Sequence, residues 1–169
     1  MIIKKKPPGE RRTTADILKR AAVEHYAHKT YSCYVELGVL PWGKRRLDVF
    51  ALNTKGHYVG IETKSCVADY NTDSKWREYL EHVNSFYFCV TEAVYAKLEE
   101  RLRVDCKETG AGVMILTSNG FIKVVINAKK HKMCKENKLR LLLKVAWRGG
   151  ESKRTIKRRT RFLLNNEEN

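Results

Sequence analysis

The sequence has no long apolar run. Its apolar runs, such as "VMIL" at 113–116 and "LLLKVAW" at 141–147, are short or broken by a lysine. A membrane-crossing helix needs ~20 apolar residues, so none is expected and no membrane partner is read. The basic N-terminus "MIIKKKPPGERR" has no apolar stretch behind it. It therefore does not read as a secretory signal, and a cytoplasmic location is expected, on the nucleoid or in a host cytoplasm if the chain is viral. Cysteine is sparse: the five, at 33, 66, 89, 106 and 134, are odd in number and scattered. Without secretion this argues against a disulfide framework. His131 and Cys134 form one His–Cys pair in "HKMC", but no second pair completes the four ligands of a structural zinc. Internal repeats are lacking, and no small-molecule organic cofactor is expected.

What is present fits one folded domain with tails. The chain has 169 residues, 43% of them hydrophobic and 9% aromatic, enough to bury a core without staples. Its charge is unevenly placed. Residues 1–12 carry five bases and one acid, residues 13–122 carry 14 of each, and residues 123–169 carry 15 bases and four acids. A neutral body with basic ends is built to hold a polyanion, nucleic acid first. Residues 1–12, with Pro7, Pro8 and Gly9, read as a flexible arm, residues 13–148 as the domain, and residues 149–169 as a basic tail. The tail's bases are Lys153, Arg154, Lys157, Arg158, Arg159 and Arg161, with no acid between the first and the last.

Periodicity supplies the elements. "TTADILKRAAVEHYAH" predicts a helix capped by Thr13 or Thr14, with Ile17, Leu18, Ala21, Ala22 and Tyr26 on its apolar stripe. "YSCYVELGVL", "RRLDVFALN" and "HYVGIETKS" predict three strands, the last two joined by the turn "NTKG". "VADYNTDSKWREYLEHV" predicts a helix with Trp76, Tyr79, Leu80 and Val83 on one face. "SFYFCVT" reads as a buried strand, and "EAVYAKLEERL" as a helix. "GAGVMILTSNGFIKVVIN" reads as a hairpin turning at Asn-Gly, and "CKENKLRLLLKVAW" as a last helix. The fold class is α/β: a helix, a three-stranded meander, a helix and a strand, then an added hairpin and a C-terminal helix.

Alternation along the third strand puts Tyr58, Gly60, Glu62 and Lys64 on one side. Along the second it puts Asp48 opposite to Leu47, Val49 and Ala51. In a hairpin, Asp48 and Glu62 can then approach across the pair. Two carboxylates so placed repel unless a cation lies between them, and all-oxygen donors suit Mg²⁺ or Mn²⁺. Gly60, lacking a side chain, is expected to leave room for a ligand. An exposed strand face with ordinary ion pairs would use the same residues. Charge inside the apolar runs "LDVF" and "VGIETK" argues for the site.

Asp48, a gap of 13 residues and then Glu62-Thr63-Lys64 resembles the PD-(D/E)XK nuclease signature. The longer run from Val35 to Val90 resembles the MmcB-like DNA-repair branch of that superfamily, sharing "RR.D..AL", "E.KS..AD" and "D.KW.EY". The resemblance covers residues 31–147. It is loose over "TEAVYAKLEERLRVDCKETG" and leaves both basic ends outside. It implies a restriction-endonuclease-like core in which Asp48 and Glu62 are metal ligands, helped by the Thr63 carbonyl. Lys64 is implied to orient or deprotonate the attacking water and to offset transition-state charge. Glu36 matches the acid of the first strand and is an accessory ligand; an exposed strand glutamate would look the same. Many members of the superfamily also carry an acid on the first helix, where this chain has Glu24. Lys75 and Tyr79 resemble a Lys-x-x-x-Tyr helix bordering the site, Lys75 as a phosphate contact and Tyr79 as site or core. Arg45 and Arg46 are placed to hold a DNA backbone.

The function these implications favour is a Mg²⁺- or Mn²⁺-dependent deoxyribonuclease, most simply an endonuclease, working in DNA repair or recombination. The small size is compatible with a virus or mobile element as source. A non-catalytic DNA-binding module on the same fold, or a Holliday-junction-type resolvase acting as a homodimer, are the alternatives, and RNA remains open as a substrate.

Overall fold

The computed structural model describes residues 13–40 and 45–149. The N-terminal arm and all six basic residues of the tail fall outside that range. The described residues form two units, one ending at Met133 and the other beginning at Cys134.

The first unit is built on one six-stranded sheet whose spatial order is the sequence order, β1 to β6. It opens with α1 (Thr14–Ala27), for which the Thr13 hydroxyl accepts from the Asp16 amide while the Asp16 carboxylate accepts from Thr13, a capping box. Leu18, Ala22 and Tyr26 lie on the buried side of α1 at i, i+4 and i+8. They pack on Val49, Ala51, Val59 and Ile61 of the sheet. Ile17, expected on this stripe, is 45% exposed, so the seam is one residue wide per turn.

Next come β1 (Ser32–Gly38), β2 (Arg46–Leu52) and β3 (Tyr58–Lys64), an antiparallel meander. The β2–β3 turn closes through Gly56, whose φ of +70° lies in the left-handed region that suits glycine. Every residue of β3 is buried, because it is central and both its faces are covered.

The helix expected after β3 is two pieces. α2 (Val67–Thr72) stops at Asp73, and a 3₁₀ segment (Lys75–His82) follows. The Asp73 carboxylate accepts the Lys75 amide hydrogen at 2.9 Å, replacing an intrahelical partner. In the 3₁₀ segment the buried residues are Trp76, Tyr79 and His82, the three-residue spacing of that helix. Trp76 stacks on Phe86 and meets Phe88 edge-on, at centroid distances of 5.8 and 4.8 Å. An aromatic layer thereby covers the sheet face opposite α1.

β4 (Ser85–Thr91) and β5 (Gly112–Leu116) then add in parallel beyond β3. They are joined by α3 (Glu92–Thr109), which buries Val94, Leu98, Leu102 and Cys106. α3 runs seven residues past the expected Leu102, because Cys106 continues the i+4 series, and it ends at Gly110 in the left-handed conformation. β6 (Ile122–Ile126) pairs antiparallel with β5 through a five-residue loop closed by Thr117 and Phe121, a wider connection than an Asn-Gly turn. The helix–meander–helix–strand order with an added hairpin is the one expected, with its second helix divided.

The second unit contains α4 (Lys135–Gly149), with Glu136 in its first turn and Arg148 in its last, both complementing the helix dipole. No helix among the described residues is long and apolar enough to cross a membrane.

Candidate active site

The site forms where β2 and β3 stop pairing. Their ladder runs from Leu52 opposite Tyr58 to Val49 opposite Ile61 and goes no further. Continued one step, the register sets Asp48 opposite Glu62, and that of β1 and β2 sets Glu36 opposite Asp48. Side chains take over the bonding there. The Asp48 amide donates to Glu62 Oε1 at 3.3 Å, and the Thr63 amide and hydroxyl donate to Asp48 Oδ2 at 2.8 and 2.6 Å. Two bonds that would zip the strands together are spent on carboxylates, and a row of three acids is the result.

Two lysines answer this charge. Lys64 is buried. Its ammonium is hydrogen-bonded to Asp73 Oδ2 and lies 3.8 Å from Glu62 Oε2. Lys19, on α1 beside the buried Leu18, reaches Asp48 Oδ1 at 3.0 Å and is also bonded to Glu36. Burial works against the Lys19 charge, but the bonds to Glu36 and Asp48 outweigh it and hold its pKa above the ordinary value. The Glu62 carboxyl is pushed up to about 8, first by burial and then by the Asp48 charge, with Lys64 pulling the other way. Glu36 has a φ of +55° inside a strand, a strained conformation that for a non-glycine residue costs ~1–3 kcal/mol. Arg46 Nε stands 3.7 Å from its carboxylate.

Asp48, Glu62, Thr63, Lys64 and Glu36 are thus brought to one end of three adjacent strands. Asp73 and Lys19, which sequence reasoning missed, join them. Lys19 left no local signal, since it arrives from another element; Asp73 opens the shared run "D.KW.EY", but nothing in that run says that it meets Lys64. Tyr79 is buried near them, donating to the Arg46 carbonyl at 3.0 Å, and burial followed by the Glu62 charge raises its pKa. Lys75 is exposed, and on a 3₁₀ turn it does not share a face with Tyr79 as an α-helix would arrange. Arg45 forms a two-pronged ion pair with Glu78, at 2.8 and 3.0 Å, whereas Arg46 is largely exposed. Glu24 pairs with Arg20 on the surface of α1, away from the acids. Among the described residues, no three His, Cys, Asp or Glu side chains are already gathered as a metal cage.

Gly60 does not leave the opening expected of it. A Cβ there would lie 2.9 Å from both Leu47 Cδ1 and Val83 Cγ1, so glycine lets the core close behind Glu62. Gly60→Val is expected to destabilise the fold by ~1–3 kcal/mol through overpacking. Chemical denaturation measures this, and an unchanged midpoint would show that Leu47 and Val83 yield freely.

The family model for MmcB-like DNA repair proteins matches residues 4–159. The chain belongs to the MmcB-like family. The match includes most of both basic ends, which the sequence resemblance had left outside. A solved structure, the SPO1766 protein of unknown function from Silicibacter pomeroyi, superposes with a TM-score of 0.70 at 23% identity, covering 95% of this chain and 97% of that one. An XisH family protein from Nostoc punctiforme PCC 73102 gives a TM-score of 0.50 at 15% identity, covering 66% of this chain and 100% of its own. At these identities the likeness is one of fold. No curated protein matches the chain. Membership of this DNA-repair family agrees with a role in DNA repair and with contact to DNA.

Proposed function

We propose that this MmcB-like chain is a metal-dependent DNA nuclease that hydrolyses phosphodiester bonds. The observation that supports the reading is the opened end of β2 and β3, where Asp48, Glu62 and a buried Lys64 converge. Asp48, Glu62 and the Thr63 carbonyl would hold Mg²⁺ or Mn²⁺, with Glu36 as an accessory ligand. The donor chemistry fits: every donor is an oxygen, and a carboxylate raised by burial and by the Asp48 charge is one that a bound cation would favour in its ionised form. When bound there, a divalent cation polarises the scissile phosphate and lowers the pKa of a water.

The chain's own residues do the rest. Thr63 fixes the Asp48 carboxylate through two hydrogen bonds. Asp73 holds the Lys64 ammonium against the Glu62 side of the site, where it can orient a water and offset charge growing on the phosphate. Lys19 keeps Asp48 and Glu36 from driving each other apart. Arg46 and Lys75, both exposed at the rim, are assigned to DNA phosphates; Arg45 reaches them only by leaving Glu78. The test is cleavage of linear, nicked, branched and single-stranded DNA, and of RNA, with Mg²⁺, Mn²⁺ or EDTA. Metal-dependent cleavage of a DNA substrate is expected. Binding without cleavage of any substrate would return the chain to the non-catalytic reading.

The basic tail is assigned to the DNA backbone on its charge alone. Six bases lie between Lys153 and Arg161 without an acid, and each duplex phosphate contact adds ~0.9 to the slope of log K against log salt. Deleting residues 150–169 is expected to weaken binding to all sequences alike and to flatten the slope by about 3–4. A slope that does not change would remove the tail from the interface.

A further inference from the structure

The end of the sheet away from the acids holds a polar cavity. From Asp48 to the Asn53–His57 turn is five strand residues, ~17 Å at ~3.3 Å each. There Tyr31, Asn53, Lys55, His57, Asn84 and Lys130 line a space of about 410 Å³. Lys55 and Lys130 bring positive charge, no carboxylate lines the cavity, and neither ammonium pairs with an acid among the described residues. Lys129 and Lys132 flank Lys130 in a stretch without acids. The charge there is of one sign.

The cavity is also held in shape. The Tyr31 hydroxyl lies 3.0 Å from His57 Nδ1, and the buried Ser85 hydroxyl 3.3 Å from Nε2. Asn53 Oδ1 accepts the Lys55 and His57 amide hydrogens, which fixes the turn. Asn84 accepts from the Tyr58 amide and donates to the His131 carbonyl, tying the segment before Met133 to the start of β3 and β4. The turn that carries Lys55 and the start of the segment that carries Lys130 are thus braced, and the hydroxyls and imidazole between them are neutral hydrogen-bonding partners; burial and the Lys130 charge keep the His57 pKa below its ordinary value. Unpaired cations on a braced rim attract an anion. The imidazole, engaged at both nitrogens, takes one hydroxyl hydrogen and donates its own to the other hydroxyl, so a hydroxyl hydrogen and the two ammoniums are left to meet the acceptor oxygens of a phosphate. The volume exceeds what a bare phosphate fills, and the Tyr31 and His57 rings offer flat faces, set edge to face at 6.2 Å, for the group attached to it.

We propose that this cavity binds a nucleotide phosphate ester, either the terminal phosphate of a DNA strand or a free mononucleotide. The proposal goes beyond the nuclease reading and is tested without it. The full chain, kept in EDTA so that cleavage does not intervene, is titrated with dAMP, inorganic phosphate, and a 5′-phosphorylated or 5′-hydroxyl single-stranded dodecamer. NMR follows the His57 imidazole and the Lys55 amide. Both resonances are expected to move with a phosphate ester, and the phosphorylated dodecamer is expected to bind ~10-fold more tightly than the hydroxyl one, the worth of one charge-assisted hydrogen bond. A shift with dAMP alone identifies the free nucleotide; preference for the phosphorylated strand identifies the DNA end. A Lys55→Gln, Lys130→Gln double variant should lose the shift and the preference, while a Lys97→Gln, Lys107→Gln variant on α3, equal in net charge, keeps both. No movement at millimolar probe, or equal losses in the two double variants, overturns the site.

Discussion

Asp48→Asn and Glu62→Gln are each expected to reduce metal-dependent DNA cleavage to background while leaving DNA affinity and the fold in place. Each replacement removes one ligand charge at nearly constant volume, and the proposed chemistry needs both. The fold survives because the contacts of these acids are met in part by the amides. Gln at 62 can still accept the Asp48 amide hydrogen through its oxygen, and Asn at 48 can still accept from Thr63. Glu62→Gln carries a second signature. Its carboxyl rises from 4.5 to about 8 on folding, by burial and then by the Asp48 charge. A group whose pKa is raised in the folded state contributes stability in full below its unfolded value and loses it as pH rises through the folded one. In EDTA the wild-type protein should therefore lose stability between about pH 4.5 and 8 through this residue, and the Gln variant should lack that loss. Thermal melts at pH 5 and pH 9 should show the melting temperature of the variant gaining on the wild type at the higher pH. Activity retained by either variant would sink the nuclease reading. A pH trend common to wild type and Glu62→Gln would mean that the carboxyl ionises freely.

The residues that proved legible are those whose partners lie close in sequence or opposite in a hairpin. Alternation in "RRLDVFALN" and "HYVGIETKS", with "NTKG" between them, was enough to set Asp48 across from Glu62. Thr13 or Thr14 marked the start of α1, and the structure caps it with Thr13. Contacts from other elements were not legible. Alternation assigns Asp48 a face, but nothing near it says that Lys19, fixed by the packing of Leu18 and Ala22, will reach its carboxylate. The same holds for Asp73. Apolar residues at 76, 79, 80 and 83 fit an α-helix, and the bonds that accompany the break, from Asp73 to Lys64 and to the Lys75 amide, include a partner from another element. The 3₁₀ winding of the second piece, Lys75–His82, then takes Lys75 off the face of Tyr79. Gly60 misled in the other direction. A missing side chain was read as open space, and long-range packing by Leu47 and Val83 had filled it.

Lys64→Met is expected to lower turnover ~10²–10³-fold, the usual loss when one preorganised donor is removed from a transition state, with DNA affinity changed far less. Methionine is the informative substitution because the side chain is only 4% exposed, so the aliphatic stem needs a replacement of similar length. The ammonium also has structural partners, Asp73 and Glu62, and losing it leaves Asp73 without its ion pair. Some destabilisation is expected, and a melt in parallel separates it from the rate effect. One further consequence distinguishes electrostatics from misfolding. Lys64 pulls the Glu62 pKa down against burial and the Asp48 charge, so its removal lets that carboxyl rise further. Less of the ionised ligand is then present at neutral pH. The variant should need more Mg²⁺ for half-maximal activity, and that requirement should fall as pH is raised. Asp73→Asn, which leaves the lysine in place but loosens its anchor, should show a smaller loss of turnover. A folded Lys64→Met protein with wild-type turnover would remove the lysine from the reaction. A loss of rate with an unaltered Mg²⁺ requirement at every pH would separate it from Glu62.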